Sequence, residues 1–236
     1  MRRTHCAALL AVVTIVALAR AETLRVVSHA KTTAGTSAWR PTTVTPVGKG
    51  FEREVAVAWG ALPVSFRNEL QQSGWQVQLA EFVIDAAPEL AEQAPRGWPS
   101  GMSWRQSDAV HLPNQRRLIV AEKRLTSAGT VVSASRTAGV LRHELGHAYD
   151  VAHGARHGSL SASPAFLAAY QCDLAQLPAS ERDRLTYYLQ AGSAGRQETF
   201  AEALAIALGG GSDDANAAEF AKRFPQVMKF AADCVR

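Results

Sequence analysis

Cysteine is scarce in this chain: 3 in 236 residues, Cys6, Cys172 and Cys234, with no CxxC spacing, which excludes a dithiol redox motif. Long apolar runs are scarce too. Beyond the run from Ala7 to Ala19, no stretch is long enough to cross a bilayer, so the mature chain reads as soluble. There is no internal repeat and no low-complexity tract, which excludes solenoid and compositionally biased architectures. An excess of one charge is missing as well, once the N-terminus is considered. Arg2 and Arg3, the apolar run and the small-x-small sequence Ala19-Arg20-Ala21 read as a secretory signal peptide over residues 1–21. Its removal lowers the 25 basic residues to 22, against 21 acidic ones, so the formal charge of +4 is mostly that segment's. No nucleic-acid partner is expected, and no membrane partner after cleavage.

The same segment sets the compartment. An exported, periplasmic or extracellular protein retains Cys172 and Cys234, and an even pair in an oxidising environment is expected to form one disulfide. The remaining residues suffice for one sizeable core or two small lobes. Residues 22–50, rich in Thr, Ser, Gly and Pro, read as an irregular arm or short β-edge, with a propeptide as an alternative, and the domain proper as 51–236. Helical spacing is present over 51–59 and 62–72, alternation predicts a strand over 75–84, and Pro and Gly make 85–107 a long loop carrying Trp98 and Trp104. A second strand spans 116–122. Helices are expected over 135–154, 163–175, 179–190, 196–208 and 214–234, with Gly209-Gly210-Gly211-Ser212 breaking the last two apart. Strands first and helices afterwards indicate an α+β fold.

What is there in place of cysteines and charge is His143-Glu144-Leu145-Gly146-His147, an HExxH motif. On a helix, positions four apart lie one turn above each other, so both imidazoles can hold one ion with the carboxylate beside it. Imidazole suits Zn²⁺, and a catalytic zinc takes three protein ligands and leaves a position for water. Glu144 is then the general base. Val140, Leu141, Leu145, Ala148, Tyr149 and Ala152 make an apolar helical face around the motif, and Gly154 can end the helix.

Two residues compete to be the third ligand. His153 stands where HExxHxxGxxH proteins place their third histidine, but Asp150 occupies the glycine position that would let the chain turn back. Glu198, four residues before Glu202 in the apolar helix RQETFAEALAIAL, is the preferred candidate, with Glu202 able to accept the N–H of a ligating histidine.

HELGHAYD, the later QETFAEALA and FPQVMKF near the C-terminus resemble the catalytic domain of anthrax toxin lethal factor and its exported bacterial relatives, from about Leu62 to Arg236. The resemblance implies a zincin-like metallopeptidase domain, with a small twisted sheet beside an active-site helix. It implies His143, His147 and Glu198 as zinc ligands, Glu144 as the water-activating base and Glu202 as support for a ligand. It also implies a tyrosine aimed at the site. The ungapped counterpart is Ala191, and a three-residue insertion in AGSAGR brings Tyr188 to that place, with Tyr187 beside it.

The expected function is a secreted zinc endopeptidase acting on a protein or peptide laid along the strand near 116–122. Two alternatives are a non-catalytic exported binding protein retaining a structural or vestigial zinc site, and a hydrolase of non-peptide amides.

Overall fold

A computed structural model describes residues 40–95, 98–154, 158–212 and 214–236. The expected signal peptide and residues 22–39 of the arm lie outside the described residues.

Strand β1 (Thr42–Thr43) is followed by helices α1 (Lys49–Gly60) and α2 (Val64–Gln72), then by β2 (Gln76–Ala80) and the short α3 (Val83–Ala86). Next come β3 (Ala109–Leu112), β4 (Arg117–Ala121) and a hairpin of β5 (Lys123–Leu125) and β6 (Val131–Ser133). The rest is helical: α4 (Thr137–His153), α5 (Pro164–Gln176), α6 (Ala179–Arg182), α7 (Ala194–Ala207), α8 (Asp214–Arg223) and α9 (Pro225–Cys234). The four-stranded sheet has the order β1-β2-β4-β3, parallel except for β3 against β4.

Strand alternation divides the interior in two. Val77, Leu79, Leu118, Val120 and Ala109 face the main core, shared with Leu141, Leu145, Phe166, Phe200 and Leu204 from α4, α5 and α7. Ala80, Ile119, Ala121 and Val110 face a smaller core closed by Val83, Leu90 and Trp104. Each fully buried Leu or Phe contributes about 1.5–3 kcal/mol of transfer free energy, so α4 and α7 are held chiefly by the main core.

Three expectations need correction. The segment read as a loop over 85–107 contains turns of 3₁₀ helix at Pro88–Leu90 and Trp104–Gln106, and β3 just beyond it had no expected counterpart. The helix expected over 214–234 is two helices, because Pro225 forces Phe224 out of helical geometry at φ −121°, ψ 54°. The helix expected over 179–190 ends early, where the Thr186 hydroxyl donates to the Asp183 carbonyl and competes with the helical ladder.

The expected disulfide is absent: Cys172 and Cys234 are both free. The buried Asp173 carboxylate accepts from the backbone N–H groups of Gln226 and Val227, which docks this part of α5 at the start of α9. Cys234 lies at the other end of α9, about 12 Å further along at 1.5 Å per residue, beyond the span a disulfide bridges. Burial raises the Cys234 thiol to about 11, so it stays protonated at neutral pH.

Candidate active site

Helix α4 carries His143, Glu144 and His147, and α7 carries Glu198 and Glu202. Gly146 sets the distance between the two helices. A Cβ there would stand 2.8 Å from the Cα and carbonyl oxygen of Ala201, so only glycine lets the backbones approach this closely. The close approach brings the α7 carboxylates within reach of the α4 imidazoles.

Nε2 of His143 and Nε2 of His147 each stand 3.2 Å from the same oxygen, Oε2 of Glu198. All three side chains are buried. Zinc with bonds of about 2.1 Å keeps tetrahedral donors roughly 3.4 Å apart, so this donor set fits a zinc ion. Behind it, Nδ1 of His143 donates to Oε2 of Glu202 at 2.9 Å, which turns Nε2 towards Glu198. Glu202 is held in turn by Ser212, whose hydroxyl donates at 2.6 Å and whose backbone N–H donates at 3.0 Å. The glycine run read as a flexible break therefore ends in a contact that anchors the site.

The electrostatics follow from burial and pairing. Burial pushes the Glu198 carboxyl up, but the two imidazoles outweigh it and hold the carboxyl far below its ordinary range. Burial likewise works against a charged His143, yet Glu198 and Glu202 on either side raise its pKa well above that of a free histidine. His147 goes the other way, lowered by burial and by the neighbouring His111. For Glu144, burial is outweighed by the His111 contact and by the imidazoles of His147 and His143, leaving a carboxylate that is ionised at neutral pH.

The tyrosine at the cluster is Tyr187. Its hydroxyl donates to Oε2 of Glu198 at 2.8 Å, while desolvation of that hydroxyl and the neighbouring carboxylate raise its pKa and keep the proton on the phenol. The expectation placed this role on Tyr188. The structure turns the Tyr188 ring into the helical core instead, edge-on to Phe220 at 4.8 Å. Adjacent residues on this turn point in different directions, so a one-residue offset exchanges a packing ring for a site hydroxyl.

His153 does not join the cluster. With Asp150 in place of glycine, α4 runs on to His153, which stacks on Tyr149 and pairs with Glu69 at 3.3 Å. Asp150 accepts instead from the N–H and hydroxyl of Ser161, fixing the chain beyond the helix.

His111 is the residue that sequence reading missed. Ala109 and His111 alternate with Val110 and Leu112, and this alternation turns His111 towards α4. Its ring stacks on His147 at 4.3 Å and 12°, and Nδ1 stands 3.5 Å from Oε2 of Glu144. The available signal was the alternating Ala-Val-His-Leu before Pro113, too short to distinguish from loop.

A cleft of 290 Å³ opens onto the cluster, lined by residues that include Trp98, Ala109, Arg136, His143, Glu144 and Tyr187. The strand expected to receive substrate, β4, lies between β2 and β3 and has both edges paired. The edge strand beside the cleft is β3, which corrects that expectation.

No protein-family model and no curated protein matches the chain. Among solved structures, the Pro-Pro endopeptidase PPEP-2 from Paenibacillus alvei aligns with a TM-score of 0.53 at 21% identity, over 81% of this chain and 96% of that one. The likeness is one of fold. The chain is an α+β protein whose fold is similar to that of this endopeptidase.

Proposed function

We propose that this protein is an exported zinc-dependent endopeptidase of the lethal factor-like kind. The observation that carries the reading is the convergence of both HExxH imidazoles on one oxygen of Glu198, with Glu144 beside them in an open cleft. His143, His147 and Glu198 would hold Zn²⁺, whose Lewis acidity polarises the scissile carbonyl when the ion is bound. Glu144, ionised at neutral pH, accepts a proton from the attacking water and delivers it to the leaving amine. Tyr187 keeps its phenolic proton and donates it as a hydrogen bond to the oxyanion that develops on the carbonyl. An extended peptide adds its backbone to the edge of β3.

Kinship with lethal factor-like enzymes is supported by the pairing of HELGH with ETFAEA, and export by the N-terminal segment. Among the described residues, no helix is long and apolar enough to cross a membrane. The Pro-Pro endopeptidase of similar fold makes peptides containing a Pro-Pro bond the first substrates to try. A peptide-library digest with and without chelator tests the reading: cleavage should require metal and vanish in Glu144→Gln. Cleavage that survives the Gln substitution at the parent rate would refute it, as would the absence of any cleavage by the metal-loaded parent.

A further inference from the structure

Glu144 has a second neighbour that peptide hydrolysis leaves without a task. His111, Glu144 and His147 offer donor atoms that all lie within 4.8 Å of one another. The His111 to Glu144 separation of 3.5 Å matches the roughly 3.4 Å between tetrahedral donors on zinc. His147 contributes differently. An imidazole lone pair lies in the ring plane, and the His111 and His147 planes are within 12° of parallel, so one ion cannot lie in both. The effective donors are therefore His111 Nδ1, with its ring proton on Nε2, and the Glu144 carboxylate, while His147 forms a wall and water fills the other positions.

This pair is also within reach of solvent. The side chains of His111 and Glu144 are 24% and 14% exposed, whereas the donors on Glu198 and His147 are more deeply placed. Two protein ligands hold an ion less tightly than three, so the His143–His147–Glu198 site fills first.

We propose that His111 and Glu144 form a second, weaker site for a zinc-type divalent cation, whose occupancy inhibits the protein by engaging the carboxylate that must accept the proton. The inhibitory consequence rests on the reading of Glu144 as general base; the site itself rests on the donor geometry alone. Excess Zn²⁺ should thus suppress hydrolysis that one equivalent supports.

The test is metal counting, independent of turnover. The full chain, stripped by chelator, is dialysed against buffered Zn²⁺ at rising free concentration, and bound zinc is measured by elemental analysis. The parent should take up one ion tightly and a second more weakly. His111→Ala and Glu144→Gln should each lose the second ion and keep the first, and the near-isosteric Gln variant guards against a folding defect in the other. A parent that stops at one ion overturns the second site, as does a second ion retained in both variants. A parent that binds none overturns the zinc reading of the main cluster as well. Two ions without peptide cleavage would leave the second site standing and sink the peptidase assignment.

Discussion

Helices α4 and α7 both bring carboxylates to one cluster, but they treat them in opposite ways. Glu198 and Glu202 on α7 are surrounded by donors: Tyr187 and two imidazoles at the first, His143 and Ser212 at the second. Glu144 on α4 meets His111 only at the longer distance of 3.5 Å and borders the open cleft. A carboxylate saturated with hydrogen bonds is fixed in place and suited to holding an ion. A carboxylate with spare lone pairs beside a cleft is suited to taking up a proton. Position relative to the neighbouring helix, not residue type, separates the two roles.

The sharpest way to break this comparison is Glu144→Gln, which keeps shape and removes basicity. Hydrolysis should fall by roughly 10²–10⁴-fold while zinc content measured by elemental analysis is unchanged. Tyr187→Phe should lower kcat by about 10²–10³-fold, and Tyr188→Phe should leave it near the parent value, measured on one peptide substrate. Glu198→Ala acts on holding instead: zinc affinity in a chelator competition should drop by more than the roughly 10–100-fold typical of outer supports. Gly146→Ala should force α4 away from Ala201 and cost about 1–3 kcal/mol, read as a lower Tm of the metal-free protein. The mildest is Ser212→Ala, which removes one of the donors to Glu202. Zinc affinity should weaken by about tenfold or less, and Ser212→Thr should restore it.

How much of this was legible in the chain differs between the same two helices. α4 shows its motif because both imidazoles and the carboxylate of Glu144 fall within five residues, where helical spacing alone brings them together. Glu198 and Glu202 stood out because they lie four apart in an apolar helix, where carboxylates require partners, and because QETFAEALA resembles the later helix of lethal factor-like proteins. The choice between Tyr188 and its neighbour Tyr187 could not be read from the chain, since an irregular turn carries no periodicity from which to read direction. His111 was missed because four residues of edge strand give too little alternation to recognise. The disulfide failed for a related reason: cysteine parity carries no positional information, whereas pairing depends on where Asp173 docks α9.

The sequence by itself determined the helix that carries HExxH, the α+β order of elements and the chemistry available at each position, because these depend on local spacing and residue type. Only the tertiary structure decided which groups meet. The approach of α4 to α7 at Gly146, the turn of β3 that presents His111 and the return of Ser212 to Glu202 join residues from 10 to 55 positions apart. Such contacts are set by packing of the whole core, and no local pattern encodes them.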